Sequence, residues 1–181
     1  MKNKKNLRKI LLQQMKDFAS SPEKEVETNI LLEKLFQTSA WKNARSIGIT
    51  ISMPFELPTE KIITQAWQEG KIVAIPKTRE NGEMDFFVHT SKTTLEKTTF
   101  GVLEPVGAEM SKKKEIDLMI VPHLAITKTG VRLGFGGGFY DRYLADFKND
   151  TLALAYSFQV MQELPQEPFD IVIKTILSID K

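Results

Sequence analysis

The 181-residue sequence predicts an α/β fold: a three-layer α/β/α sandwich with a mostly parallel, mixed central sheet, taken as one domain over residues 1–181. Three observations carry this. Apolar residues recur at helical spacing in some segments and at strand spacing in others, and the two kinds alternate along the chain. Residues 116–121 form a near-continuous apolar run of the sort found in a strand buried on both faces. Gly70 closes a helical pattern that lies between two β-rich runs, giving a strand-helix-strand unit.

In chain order, Leu7, Ile10, Leu11 and Met15 predict a first helix, and Ser21-Pro22-Glu23 is a start signal for a second that runs to about Thr38. The second helix is expected to bury Val26, Ile30, Leu31, Leu35 and Phe36 on one face. Residues 46–52 read as a strand, 59–68 as a helix, and 71–75, 84–89, 116–121 and 151–156 as further strands. A helix is expected over residues 140–147. The mixed-charge stretch 109–115 reads as a solvated loop.

Composition excludes several function classes. With no cysteine, the chain has no disulfide, zinc-thiolate site or thiol nucleophile. Residues 1–16 are basic and interrupted by Lys5, Arg8, Lys9 and Gln13, so they lack the apolar core of a signal peptide or anchor, and a cytoplasmic, membrane-free, monomeric protein is expected. Twenty-five basic against twenty-three acidic residues leave a net charge of +2, too weak a field to imply nucleic acid, although an RNA-associated reading of the basic N-terminus stays open.

Residues 132–142 (Arg-Leu-Gly-Phe-Gly-Gly-Gly-Phe-Tyr-Asp-Arg) place four of the ten glycines within five positions. Such density marks either a flexible surface loop or a backbone that must approach a ligand closely, and successive amides there can form a nest for phosphate. Arg132 is expected to supply a mobile, exposed loop cation, and Asp141 either a magnesium ligand or a surface ion pair with Arg142. Phe139 stands where a dinucleotide fingerprint requires glycine, and no Lys-Ser or Lys-Thr follows to make a P-loop.

The string RLGFGGGFYDRYL resembles the signature of the 5-formyltetrahydrofolate cyclo-ligase family. KKNLR, ITISMPFELPT, GKIVAIP, FGVLEP, DLMIVP and TLALAYSFQ follow in the family's order, so the resemblance spans nearly the whole chain. It implies conversion of 5-formyltetrahydrofolate to 5,10-methenyltetrahydrofolate with ATP and magnesium, through phosphorylation of the formyl oxygen. By matching positions it implies that Lys4, Lys5, Arg8, Arg132, Leu133, Gly134, Phe135, Gly136, Gly137, Gly138, Phe139 and Tyr140 hold ATP. Arg132 and Tyr140 would be catalytic, Asp141 would bind magnesium, and Ile51 and Glu56 would contact the folate. Phe55, Met84, Phe86 and Phe100 are candidates for packing on its ring system. Lys77 and Arg79 could meet its glutamate carboxylates or belong to a solvated loop.

The chain departs from the family's pattern at Pro58, at His123 where glycine is common, at Thr127 where aspartate is usual, at Gly137 where some members carry lysine, and at Lys174 in place of a second acidic metal position; Asp170 matches. His89 and His123 receive no role. The alternative is a non-catalytic nucleotide- or folate-binding protein on the same fold. Arg132→Ala is expected to lower turnover far more than stability.

Overall fold

The apolar runs assemble as one large sheet in a computed structural model that describes residues 3–179. Along the chain, the elements begin with α1 (Lys4–Phe18), α2 (Glu23–Gln37), α3 (Ser39–Asn43), β1 (Ser46–Gly48), α4 (Thr59–Gln68), β2 (Ile72–Thr78) and β3 (Met84–Val88). They continue with β4 (Thr94–Lys97), β5 (Leu103–Val106), β6 (Met110–Ser111), β7 (Leu118–Ile120), β8 (Ala125–Thr127) and β9 (Arg132–Leu133). The last are α5 (Phe139–Leu144), β10 (Asp150–Ala155), β11 (Val160–Met161) and β12 (Thr175–Ser178).

The central sheet has the order β12-β10-β7-β1-β2-β3-β6. From β12 to β2 neighbouring strands are parallel, while β3 and β6 extend the β2 edge antiparallel, as the mixed-sheet expectation requires. Strand alternation sorts the two faces. Ile47, Ile49, Val73, Ile75, Leu118, Ile120, Leu152 and Leu154 turn to one face, which α2, α3 and α4 cover. Ala74, Met119, Ala153 and Ala155 turn to the other, where smaller side chains let α5 and the small sheet approach. That small sheet, β11-β8-β9, was not expected; α1 packs on it through Leu7, Leu11 and Met15.

Four local readings are corrected. The strand expected over 46–52 keeps only three ladder residues, because the chain turns away after Ile49 into a segment with Pro54 and Pro58, closed by Ser52 and Thr59 bonding one another (2.9 and 3.1 Å). On α2, Val26 and Ile30 are exposed, and the buried stripe is Thr28, Leu31, Leu32 and Leu35. Thr28 tolerates burial because its hydroxyl meets that of Tyr156 at 2.8 Å. Within 109–115, β6 pairs with β3, so part of the supposed loop is sheet edge. Helix 140–147 shifts to α5, starting at Phe139 and ending at Leu144.

Candidate active site

The glycine turn leaves the small sheet and enters α5. Arg132 and Leu133 pair with β8, and the Leu133 carbonyl accepts from the Leu124 amide (2.8 Å), so these two residues belong to a ladder and not to the loop. The free backbone begins at Gly134. Gly136 (φ +111) and Gly138 (φ +69) take conformations that a side chain resists, so the turn is available to glycine and to little else. Arg8 Nε donates to the Gly134 carbonyl (3.0 Å), and Arg142 Nη1 donates to the carbonyls of Gly137 (2.9 Å) and Gly82 (3.2 Å). With its carbonyls strapped from outside, the turn leaves the amides of residues 134–138 without partners among the described residues. The six-residue α5 adds little dipole of its own.

Arg132 is not the exposed cation that was expected. Its side chain is 5% exposed and its Nη2 lies 2.8 Å from Asp141 Oδ1. Burial pushes the guanidinium's pKa down, against the opposing pull of Asp141, and Nε has no partner among the described residues. Asp141 therefore pairs with Arg132 and not with Arg142; its Oδ1 also accepts from the Ile171 amide at 3.0 Å. Lys4 and Arg8 share a face of α1, as their spacing implies, but Lys4 Nζ is already held by Glu167 (2.6 Å) and Asp170 (2.7 Å). Burial lowers the Lys4 pKa, yet these two carboxylates outweigh it and leave the ammonium above its usual value. Lys5 is exposed and joins none of these contacts.

A narrow cleft of about 50 Å³ opens beside this cluster at the carboxyl ends of β1, β7 and β10, where the chain order reverses across the sheet. Glu56 lines it and accepts from the Met53 amide at 2.6 Å. Burial raises the Glu56 carboxyl's pKa, partly offset by that amide and by Lys24. Phe55 packs towards α1 with Lys16 Nζ 5.8 Å from its ring centroid, and Ile51 packs partly into the first core face. Tyr140, half-buried as a residue, has a hydroxyl that is enclosed and unpartnered; burial raises its pKa far above neutral.

Other candidates lie elsewhere. Met84 and Phe86 are core residues, because β3 alternation turns them inward against Tyr143, so the expected ring packing on them is corrected. Phe100 is 88% exposed at the tip of the β4–β5 hairpin and packs on nothing flat. Arg79 pairs with Asp85 (2.8 Å) and Lys77 donates to the Pro105 carbonyl (3.3 Å). Lys174 caps the carbonyls of Lys148 (2.9 Å) and Asn149 (2.7 Å) at the opposite end of β10 from the cleft. Thr127 closes the β8–β9 turn by accepting from the Val131 amide (3.1 Å). Arg142 and Gln159, which brace the site's backbone, were missed; a lone arginine and a lone glutamine carry no sequence signal for such bonds.

For a metal, the described residues contain no group of three His, Cys, Asp or Glu that could hold one. Asp141 offers Oδ2, its other oxygen being taken by Arg132 and Ile171. That set suits magnesium, which binds through one or two carboxylates with phosphate oxygens and water completing its shell.

Fold and site together define an α/β protein with a cleft at the sheet's switch point and an anion-competent glycine turn, the two joined through the Leu124–Leu133 backbone bond that follows His123 and precedes Gly134. The family model described as the 5-formyltetrahydrofolate cyclo-ligase family matches residues 1–178. Mouse 5-formyltetrahydrofolate cyclo-ligase is 32% identical over 192 residues, covering 98% of this chain and 94% of the mouse protein. The Haemophilus influenzae enzyme of that name is 31% identical, over 75% of this chain and 76% of its own. The solved structure of Aquifex aeolicus 5,10-methenyltetrahydrofolate synthetase matches with a TM-score of 0.84 at 28% identity, covering 97% of this chain and 89% of that one. The chain belongs to the 5-formyltetrahydrofolate cyclo-ligase family. No helix among the described residues is long and apolar enough to cross a membrane.

Proposed function

We propose that this chain converts 5-formyltetrahydrofolate to 5,10-methenyltetrahydrofolate with ATP and magnesium, releasing ADP and phosphate. One observation carries the reading: a glycine turn with five unpartnered amides stands beside Arg8, Arg132 and Lys4, next to the Glu56 cleft. Phosphoryl transfer needs mainly positioning and neutralisation of phosphate charge, and this is what amides and cations around a fixed turn supply.

The formyl group of an N-formyl amide is a poor electrophile. Transfer of the γ-phosphoryl group to its oxygen makes the carbon open to attack by N10, and phosphate then leaves with that oxygen. In this reading the amides of residues 134–138 and the Nη groups of Arg8 receive the triphosphate, while Glu56 accepts from ring N–H groups of the folate. Arg132 and Tyr140 face the transferring group with donors. Asp141 would hold magnesium, which would neutralise charge on the phosphate oxygens.

The test mixes the protein with magnesium, ATP and 5-formyltetrahydrofolate and follows the near-ultraviolet absorbance of the methenyl product. Growth of the band that depends on both ATP and magnesium is expected. Nucleotide or folate binding without the band would favour the non-catalytic alternative, and no affinity for magnesium-ATP, with or without the folate, would overturn the cyclo-ligase reading.

A further inference from the structure

Arg142 on α5 is exposed, yet its Nη1 donates to two carbonyls on loops far apart in the chain: Gly137 in the glycine turn (2.9 Å) and Gly82 in the β2–β3 turn (3.2 Å). Both loops are shaped around it. Gly82 (φ +75) and Gly138 (φ +69) lie in the left-handed region, and a Cβ at either would crowd the guanidinium, at 2.8 Å and 3.4 Å from Cζ respectively. The β2–β3 turn is itself closed, since the Arg79 amide donates to the Glu83 carbonyl (2.8 Å) across it. α5 is anchored in the core by Tyr143 and Leu144, with the Tyr143 ring 4.9 Å from that of Phe86 on β3. The arginine thus stands on a fixed helix, between a fixed turn and a soft one.

A trans peptide points its C=O and the next N–H in opposite directions. Holding the Gly137 carbonyl towards Arg142 therefore turns the Gly138 amide away from it, and that amide is one of the five left without a partner among the described residues. Four of the five residues 134–138 are glycine, so ordering this backbone carries a high entropic cost. Left to itself, such a turn would gather its amides into one nest only part of the time. Arg8 holds one end of it at the Gly134 carbonyl, and Arg142 holds the other.

We propose that Arg142 is a positioning residue for phosphate binding, a role that rests on the cyclo-ligase reading: seated on the β2–β3 turn, it keeps the glycine turn in the form that presents its amides. It acts through the Gly137 peptide and not on the substrate. Apparent affinity falls with the fraction of protein in the competent form, so loosening the strap weakens nucleotide binding without touching the reacting atoms. The β2–β3 turn thereby contributes to nucleotide affinity, although none of its residues lines the cleft.

The test titrates magnesium-ATP into the full chain and into Arg142→Ala, Gly82→Ala, the double variant and Gly70→Ala, and follows methenyl formation in each. Arg142→Ala should raise Kd about tenfold, by the same factor at low and at high salt, with kcat at saturating nucleotide and folate within about twofold. Gly82→Ala keeps the guanidinium and disturbs its seat. It should raise Kd about threefold, and the double variant should bind no more weakly than Arg142→Ala alone. Gly70 shares the left-handed backbone (φ +72) but has nothing within 4 Å of its Cβ position. Gly70→Ala therefore carries similar strain and should leave Kd unchanged, while both glycine variants lower the thermal midpoint by a similar few degrees.

An unchanged Kd in Arg142→Ala or Gly82→Ala, additive effects in the double variant, or an equal rise in Gly70→Ala overturns the proposal. So does a rise in Kd that shrinks at high salt, which would make Arg142 a direct phosphate contact. An unmodified protein without affinity for magnesium-ATP overturns the cyclo-ligase reading, and this role with it.

Discussion

The seven-stranded sheet and the small β11-β8-β9 sheet are built on opposite terms. In the large sheet, strand interiors are Val, Ile, Leu and Ala, backbone groups are paired in the ladder, and the helices that cover it bring apolar faces. In and around the small sheet and its glycine turn lie a buried arginine, an enclosed tyrosine hydroxyl and an imidazole, and the turn's amides have no partner among the described residues. Around the large sheet the buried side-chain atoms without a partner among the described residues are His89 Nδ1 and the Tyr143 hydroxyl, whereas around the small sheet and its turn they are Arg132 Nε, His123 Nε2 and the Tyr140 hydroxyl, beside a row of free amides. The first determines whether the chain folds, and the second what it can bind.

Arg132 is where this contrast is most open to attack, since it is buried and is also the residue proposed to meet the transferring phosphoryl group. On the proposed role, replacing it with Met would remove transition-state charge stabilisation and should lower turnover by roughly 100- to 1,000-fold. It also strands Asp141, 19% exposed at its side chain, at a cost of about 3 kcal/mol in urea unfolding. The sequence-based expectation of a loss in turnover with little loss of stability is therefore revised. Adding Asp141→Asn should recover most of the stability and none of the turnover. If Arg132→Met alone unfolds no more easily than the unmodified protein, the burial assigned to this pair is wrong.

On the other side of the comparison, Leu35 on α2 is fully buried in the first core face and does not line the cleft. Leu35→Ala should cost about 3 kcal/mol and lower the thermal midpoint by about 9 °C. KM for ATP should stay within about twofold. A large rise in KM would mean that the two regions are not separable.

What could be read in advance follows the same division. The large sheet was legible because burial on two faces writes long apolar runs such as residues 116–121. The small sheet was not, since strands of two or three residues are too short to show a period. The face of α2 was misjudged because the partner that makes Thr28 a buried residue, Tyr156, lies 128 positions away. The glycine turn was legible from composition alone, and the resemblance named its neighbours. The burial of Arg132 depends on how β9 folds against α5, and its sequence context resembles that of any loop cation.

Lys4 gives the smallest expected effect on folding and a separate view of the turn. Its ammonium is held between Glu167, half-exposed, and Asp170, largely buried. Pairs so close to solvent contribute little, so Lys4→Met should change stability at neutral pH by about 1 kcal/mol or less, and by less still in high salt. Because the folded pKa is raised, this contribution is present below the unfolded value of 10.5 and is lost as pH climbs through the folded one. In ATP binding the order reverses: a triphosphate on the glycine turn competes with the two carboxylates for the same ammonium, and Lys4→Met should raise KM for ATP by about tenfold. An unchanged KM would confine Lys4 to tethering the segment around Asp170, and a loss of several kcal/mol would place it beside Arg132 as a buried support.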